Sequence, residues 1–186
     1  MKILAFAASN STQSINKKLV GYAKRLLEDG LIPEANVELI DLNDYEMPIY
    51  SADRENDTGI PQLAHDFFAE IGAADALLIS FAEHNGFYTA AYKNLFDWTS
   101  RIDTRVYQDK PTVMLSTSPG PRGGGNSLQT AIASAPFFGN DVRASLSIPS
   151  FGQNFDLDLG VLSDPDLDSH FREALASFGS EVEAAA

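Results

Sequence analysis

The stretch KILAFAASNSTQSINKKL, Lys2 to Leu19, passes from an apolar run through a polar loop into a helix-like segment. The run ILAFAA is continuously apolar, as expected for a strand buried on both faces of a parallel sheet. The loop, Ala8 to Ser14, carries only small, hydroxyl and amide side chains. Strand, polar loop and helix in this order predict the first unit of an α/β fold, with the loop at the rim of the sheet.

The same alternation continues along the chain, where five short apolar runs are separated by segments with helical spacing. The predicted strands are Lys2–Ala8, Asn36–Leu42, Asp75–Phe81, Thr112–Ser116 and Val142–Pro149. The predicted helices cover about Ser14–Glu28, Ile60–Ala73, Tyr88–Ile102, Ser127–Phe138 and Asp166–Glu183. Because 186 residues contain neither a repeat nor an evident linker, we expect one domain over residues 1–186.

The patterns of the strands predict their order in the sheet. The runs ILAFAA, ALLISF and TVMLS are continuously apolar and therefore central, whereas VRASLSI alternates and NVELIDL is interrupted by acids, as at edges. We therefore predict an α/β fold: a flavodoxin-like, doubly wound, five-stranded parallel sheet in the order 2-1-3-4-5, with helices on both faces. In that order, the loops after strands one, three and four meet at one rim.

The composition excludes several classes of function. A formal net charge of −13 repels both nucleic acid and anionic membranes. The absence of cysteine excludes disulfides, thiolate metal ligands and cysteine nucleophiles. No apolar run approaches the roughly 20 residues of a membrane helix. We therefore expect a cytoplasmic protein with no nucleic-acid partner, no membrane insertion and no metal.

The first rim loop is SNSTQSIN, Ser9 to Asn16. It has no glycine, so it is neither a dinucleotide-binding turn nor a Walker loop. Its hydroxyls and amides, together with the free N–H groups and the dipole of the following helix, could hold a phosphate. An ordinary helix N-cap would also explain one such residue. At this point both interpretations stay open.

The second rim loop is AEHNGFY, Ala82 to Tyr88, which contains the turn signal Asn85-Gly86. A flat heteroaromatic ring could lie against its backbone. The alternative is an ordinary turn that carries a surface histidine, His84.

The third rim loop is STSPGPRGGGNS, Ser116 to Ser127, with four glycines and two prolines. This composition predicts a tight or mobile loop whose bare backbone could approach a planar ligand. A flexible surface loop is the alternative. Each of the three loops is a weak signal alone, and their predicted meeting at one rim is the stronger one.

The segment AEHNGFYTAAYKNLFDWTSR resembles a motif of the NAD(P)H-dependent FMN reductases, a flavodoxin-like family that includes quinone, azo and chromate reductases. The family pattern is Pro-Glu-Tyr-Asn-Gly, a short spacer, and Leu-Lys-Asn-Ala-(Ile/Leu)-Asp-Trp. The matching residues are Glu83, Asn85, Gly86, Lys93, Asn94, Asp97 and Trp98. The first loop resembles the family's Gly-Ser-x-Arg-x-x-Ser-x-Asn, SPGPRGGG resembles its third flavin loop, and DLNDYEMPIY resembles its stretch after strand two. The resemblance covers about residues 1–150.

The resemblance implies an FMN-dependent oxidoreductase with a two-step reaction. Hydride would pass from NADPH or NADH to FMN, and electrons would then pass to a small-molecule acceptor such as a quinone, with no catalytic acid or base. The implied phosphate contacts are Ser9, Ser11, Ser14, Ile15 and Asn16, and the implied isoalloxazine contacts are Glu83, His84, Asn85, Gly86, Ser118, Gly120 and Arg122. For Arg122 we hypothesise one of two roles, stabilising reduced flavin or attracting the nicotinamide phosphates.

The chain departs from the family pattern at four positions. Ala8 replaces a glycine, Ser11 the arginine that faces the FMN phosphate, Ala82 a proline and His84 a tyrosine. A charge-assisted contact contributes about 1.5–3 kcal/mol. The loss of a cation at position 11 therefore predicts weakened FMN binding.

Two other classes of function are compatible with parts of the sequence. A flavodoxin-type electron-transfer protein without a nicotinamide site fits the acidity. A serine hydrolase would need G-x-S-x-G, and Gln129 replaces the last glycine after Gly125-Asn126-Ser127.

The resemblance also implies a homodimer or homotetramer. Tyr88 and Phe96 lie off the apolar stripe of their predicted helix, and Phe87 lies directly before that helix. They are therefore candidates for an oligomer interface.

Overall fold

The computed structural model describes residues 1–179, which are built around a five-stranded parallel sheet. The strands are β1 (Lys2–Ala8), β2 (Asn36–Leu39), β3 (Ala76–Phe81), β4 (Lys110–Thr117) and β5 (Asn140–Ile148). Their order is β2-β1-β3-β4-β5, and every neighbouring pair is parallel. The predicted flavodoxin-like order is therefore confirmed.

Burial explains why the strands take these places. Every residue of β3 is buried, whereas most of β5 is half-buried. A continuously apolar strand loses least by being covered on both faces, and an alternating strand tolerates an edge. The edge strand β5 also contains a bulge opposite Thr112 and Val113, which shifts its register by one residue.

Helices cover both faces of the sheet. They are α1 (Ile15–Leu26), α2 (Ala52–Thr58), α3 (Gln62–Ala73), α4 (Ala90–Thr99), α5 (Gly125–Ser134), α6 (Phe151–Asn154) and α7 (Pro165–Ala176). Helices α1 and α7 pack on one face with Ile3 and Ala5, and α3, α4 and α5 pack on the other with Leu4 and Phe6. Successive residues of β1 thus serve opposite cores, as the period of a strand requires.

Hydrogen bonds from side chains shift the limits of two predicted elements, β2 and α4. Strand β2 stops at Leu39, since the Asp41 carboxylate accepts a hydrogen bond from the Asn43 N–H and starts a 3₁₀ turn, Leu42–Tyr45. Helix α4 starts at Ala90 rather than Tyr88, because Thr89 caps it. Side-chain capping outcompeted the hydrophobic pattern in both cases.

Other differences lie outside the regular α/β units. Helix α2 was not predicted, because it has no buried residue and hence no apolar stripe. Helix α7 ends at Ala176 and continues as a 3₁₀ turn, Ser177–Gly179. The remainder of the predicted last helix, residues 180–183, lies outside the described residues.

The Asn85-Gly86 turn joins a short hairpin that was not predicted. Glu83–His84 pairs antiparallel with Phe87–Tyr88. Both turn residues have positive φ, 55° for Asn85 and 84° for Gly86, which is the type I′ geometry that Asn-Gly favours. The second rim loop therefore has a fixed backbone of its own.

Within residues 1–179, no helix is long and apolar enough to cross a membrane. The cytoplasmic location and the single domain over residues 1–186 stay predictions.

Candidate cofactor-binding cleft

A cleft of about 300 Å³ opens at the carboxyl ends of β1, β3 and β4. Its lining comes from all three rim loops: Ser9, Ser11, Gln13, Ser14, Ile15, Asn16, Ala82, Glu83, His84, Thr117, Ser118 and Pro119. Eight of the twelve predicted site residues are in this lining. The other four, Asn85, Gly86, Gly120 and Arg122, are on the second and third loops but outside the lining.

The first loop leaves several backbone donors without a partner. The Ser14 side chain caps α1 by accepting the Lys17 N–H at 3.3 Å, and Ser9 Oγ accepts the Ser11 N–H at 3.2 Å. Five backbone N–H groups of this loop make no hydrogen bond within residues 1–179, those of Asn10, Thr12, Gln13, Ile15 and Asn16, and the last four lie at or just before the start of α1. With the positive end of the helix dipole, they form an anion-binding arrangement.

The Asn16 side chain is hydrogen-bonded inside the protein. It is buried, its Nδ2 donates to the Thr117 carbonyl at 3.1 Å, and its Oδ1 accepts from Ser80 Oγ at 2.8 Å and from the Thr117 N–H at 3.1 Å. Asn16 therefore ties the first loop to the end of β4. The prediction that this side chain contacts phosphate stays untested, and most of its hydrogen-bonding capacity is already used.

The Glu83 carboxylate ties the second loop to the third. Its Oε2 accepts the N–H groups of Asn126 at 2.8 Å and Ser127 at 3.0 Å, in the first turn of α5. The residue at the N-cap position of α5, Gly124, has no side chain to do so. A carboxylate at a helix N-terminus both satisfies free donors and interacts favourably with the dipole.

Thr89 supplies the third tie, between the residue that follows the second loop and the residue that precedes the first. Its buried hydroxyl donates to the Ala8 carbonyl at 2.9 Å and accepts the Tyr92 N–H at 3.2 Å, which caps α4. Asn16, Glu83 and Thr89 thus connect the three loops in pairs. The cleft is held open by the protein's own hydrogen bonds, which lowers the cost of ordering it for a ligand.

The third loop is pinned to β4 and β5. Ser116 Oγ donates to the Gly123 carbonyl at 2.8 Å, and the Ser150 N–H donates to the Gly120 carbonyl at 2.9 Å. Gly123 has φ of +57°, and a Cβ there would lie 2.6 Å from the Ile148 carbonyl oxygen. Gly123 is therefore bare because the loop approaches β5 closely there. The approach of the loop as a whole to a planar ligand stays a prediction.

Two cationic side chains near the cleft, Lys17 and Arg122, have different surroundings. The Lys17 ammonium forms an ion pair with Asp41 at 2.5 Å. Burial opposes ionisation of Asp41, but hydrogen bonds from the Asn43 backbone and from Lys17 hold the pKa of this carboxyl below its usual value. No lysine or arginine lines the cleft in the described part of the chain, and Arg122 is exposed on the third loop.

The Lys-Asn…Asp-Trp part of the motif lies in α4 and supports another segment. Asn94 Nδ2 donates to the Met47 carbonyl at 3.0 Å, and Trp98 Nε1 donates to the Pro48 carbonyl at 2.7 Å. The segment that follows β2 is thereby fixed beside α4. A cavity of about 200 Å³ lies there, and Asn10 of the first loop is part of its lining. The spacing of the motif was visible in the sequence, but its contacts with Met47 and Pro48 were not.

An aromatic groove of about 260 Å³ lies between α4 and α5, lined by the rings of Tyr88, Tyr92, Phe96, Tyr107 and Phe138. The hydroxyls of Tyr92 and Tyr107 are 2.7 Å apart, and burial raises the pKa of both groups. Both stay neutral at physiological pH, so they offer no base.

Comparisons with known proteins agree with this architecture. Residues 1–151 match the sequence profile of the family described as "NADPH-dependent FMN reductase". A protein of Oryza sativa subsp. japonica named "Probable NADPH:quinone oxidoreductase 2" is 28% identical over 181 residues, which cover 95% of this chain and 86% of the rice protein.

Two solved structures show the same fold. The flavoenzyme NAD(P)H:(acceptor) oxidoreductase FerB from Paracoccus denitrificans superposes with a TM-score of 0.77 at 22% identity, covering 95% of this chain and 94% of FerB. An FMN-dependent NADH-azoreductase from Bacillus anthracis in complex with FMN has a TM-score of 0.70 at 12% identity, covering 97% of this chain and all of the azoreductase. At these identities the likeness is one of fold.

The profile match spans most of the chain, and the chain therefore belongs to the NADPH-dependent FMN reductase family. It is an oxidoreductase whose cofactor is FMN.

Proposed function

We propose that this chain holds FMN in the three-loop cleft and uses it to pass reducing equivalents from NADPH or NADH to a small acceptor. When bound, FMN accepts a hydride from the nicotinamide and delivers electrons to the acceptor. The unpaired backbone N–H groups at the start of α1 carry the proposal, because they give an acidic protein a place for a phosphate. The cleft volume, about 300 Å³, is within the range of cofactor sites.

In this proposal the first loop binds the phosphate with neutral donors. The N–H groups of Thr12, Gln13 and Ile15 and the exposed hydroxyl of Ser11 are available to an anion. Ser9 and Ser14 mainly stabilise the loop, since their hydroxyls accept backbone N–H groups. The absence of a cation in the described lining supports the prediction of weakened FMN binding.

The flavin ring is assigned to the space between the second and third loops. Ala82 and His84 line it on one side, and Thr117, Ser118 and Pro119 on the other. The chain itself moves no proton in this proposal. The Glu83 carboxylate already accepts two N–H groups of α5.

The acceptor we propose is a quinone-type molecule. The rice relative is named as an NADPH:quinone oxidoreductase, and a relative from a Burkholderia species, 31% identical over 124 residues, is named "2-hydroxy-1,4-benzoquinone reductase". We place the protein in the cytoplasm, where NADPH and NADH are available.

The experiment is an anaerobic absorbance titration of the FMN-loaded protein. We expect NADPH or NADH to bleach the oxidised flavin band, and 1,4-benzoquinone to restore it. If neither dinucleotide bleaches the band, the protein is an electron-transfer protein of the flavodoxin type and the proposal is wrong.

We also propose that the chain forms a homodimer or homotetramer. The exposed rings of Phe87 and Phe137, 67% and 74% accessible, are adjacent in sequence to Tyr88 and Phe138 of the aromatic groove. Exposed apolar surface of this kind favours association. Sedimentation equilibrium of the wild type and of Phe137→Ser would test it, and a monomeric wild type at micromolar concentration would reject it.

A further inference from the structure

Two of the thirteen cationic side chains of this acidic chain have no partner in the part of the chain that the structure describes. Eight form ion pairs with Asp or Glu, and three more, Arg25, Arg54 and Lys110, donate to backbone carbonyls. Within residues 1–179, Lys18 and Arg122 make neither an ion pair nor a side-chain hydrogen bond. Lys18 lies in the first turn of α1, after the first rim loop, and Arg122 lies within the third rim loop.

The backbone that carries Arg122 is fixed although its side chain is not. The Arg122 carbonyl accepts Ser147 Oγ at 3.1 Å and the Gly125 N–H at 2.9 Å. The next residue, Gly123, is packed so closely against β5 that no Cβ would fit. Three residues before Arg122, Pro119 lines the cleft. A free guanidinium is therefore held on a rigid turn that continues one wall of the cleft.

The chemistry of this side chain favours an arriving phosphate. A guanidinium has five N–H donors and binds phosphate oxygens in a bidentate geometry. The Arg122 guanidinium is exposed, and water weakens its attraction to any negative charge on a flavin ring inside the cleft. An anion that arrives from solvent can instead contact the guanidinium directly. A net charge of −13 repels a dinucleotide, so a local cation at the entrance would offset the repulsion.

We propose that Arg122 docks a phosphate group of the nicotinamide dinucleotide at the entrance of the cleft. This proposal rests on the proposed function and decides between the two roles that the sequence left open. Arg122 acts by binding the co-substrate, and it is not the group that stabilises the reduced flavin.

The test is a binding measurement, independent of turnover. FMN-loaded wild type, Arg122→Ala and Arg122→Lys are titrated with oxidised NADP⁺ and NAD⁺ by calorimetry at low ionic strength. We expect Arg122→Ala to raise the dissociation constant about tenfold, with Arg122→Lys in between. The control, Arg105→Ala, removes the same charge from an exposed side chain before β4, at the opposite end of the sheet, and we expect less than a twofold change.

The salt dependence and the two dinucleotides sharpen the test. Because salt screens an exposed contact, the ratio between Arg122→Ala and wild type should shrink as ionic strength rises from about 0.02 to 0.3 M. A loss confined to NADP⁺ would assign the contact to the 2′-phosphate, and an equal loss for both to the pyrophosphate.

Three results would overturn the inference: no binding of either dinucleotide by the wild type, equal affinity of wild type and Arg122→Ala, or an equal loss in Arg105→Ala. A lower flavin midpoint potential in Arg122→Ala with unchanged NADP⁺ affinity would assign Arg122 to the flavin instead. If binding depends on Arg122 but neither NADPH nor NADH bleaches the flavin, the proposed function fails while the docking role stands.

Discussion

The first and third rim loops line the same cleft, but they use their polar groups in opposite ways. The first, Ser9 to Asn16, leaves five backbone N–H groups without a partner in the described residues. The third, Ser116 to Ser127, ties its carbonyls and glycines to β4 and β5. The glycine-free loop is thus the one arranged for a ligand, and the glycine-rich loop is mainly a wall.

This difference shows that glycine content alone does not identify a ligand-binding loop. A bare backbone can face a ligand or another part of the protein, and only the packing distinguishes the two. Unpaired backbone N–H groups at the start of a helix are a better indicator of a ligand site. An N–H group that is removed from water costs free energy unless it finds a hydrogen-bond acceptor. The following predictions test each loop for the role that its contacts indicate.

The largest effect is expected for Gly123→Ala, in the wall. A Cβ at Gly123 meets the backbone of Ile148, and φ of +57° disfavours alanine by itself. We expect the free energy of unfolding to fall by about 3 kcal/mol or more, measured by urea denaturation.

Gly125→Ala is the matched control, two residues further on. A Cβ at Gly125 meets no atom within 4 Å, and the residue begins α5, where alanine is preferred to glycine. We expect no change, or a gain of up to about 1 kcal/mol. Equal losses in both variants would show that the third loop does not depend on close packing at Gly123.

The order of the strands could be predicted because the apolar pattern of each strand indicates how deeply it is buried. Runs such as ALLISF carry no charged residue and lack the apolar–polar alternation of an edge strand, so a central place was expected for them. The limits of β2 and α4 were missed, because they are set by single side chains, Asp41 and Thr89, whose hydrogen bonds override the apolar pattern. Hydrogen bonds of single polar side chains cannot be predicted from the hydrophobic periodicity of the sequence.

The second largest effect is expected for Asn16→Ala, which removes the tie between the two loops. The variant leaves the Thr117 carbonyl and N–H and the Ser80 hydroxyl without their buried partner. Each buried unpaired group costs about 1–3 kcal/mol, and some relaxation is expected, so we predict a loss of about 2–3 kcal/mol in urea denaturation.

Gln13→Ala serves as the control, since this side chain of the same loop is exposed. It should change the free energy of unfolding by less than about 0.5 kcal/mol. Similar losses for Asn16→Ala and Gln13→Ala would mean that Asn16 does not join the loops energetically.

A smaller effect is expected for Glu83→Gln, at the tie between the second loop and α5. A glutamine oxygen can still accept an N–H of Asn126 or Ser127, but the charge next to the helix dipole is lost. We predict a decrease of about 0.5–1 kcal/mol in the free energy of unfolding. Glu46→Gln, at an exposed carboxylate without a hydrogen bond within residues 1–179, should have no measurable effect. A larger loss in Glu46→Gln than in Glu83→Gln would contradict the capping role.

The sequence predicted most of the residues that line the cleft, but it did not predict what each side chain contacts. Eight of the predicted residues line the cleft because the topology places their loops at one rim. Asn16 and Glu83 were predicted as ligand contacts, which stays a prediction, and their side chains also bond to the other loops. These partners are distant in sequence, more than 40 residues away for Glu83 and about 100 for Asn16, so no local pattern could reveal them.

The smallest predicted effect is a gain in FMN affinity, and it tests whether the first loop binds the phosphate. Ser11→Arg should bind FMN about fivefold more tightly, measured by the quenching of FMN fluorescence on titration with apoprotein. The Ser11 side chain is exposed and its structural bond to Ser9 Oγ comes from the backbone, so arginine keeps the loop while adding a cation. We expect a smaller gain in affinity than a buried charge-assisted hydrogen bond would give, because position 11 is exposed to solvent. Asn10→Arg adds the same charge one residue earlier, beside the neighbouring cavity, and should gain less than twofold. An equal gain in both variants would indicate a general charge effect, and no gain in Ser11→Arg would move the phosphate away from this loop.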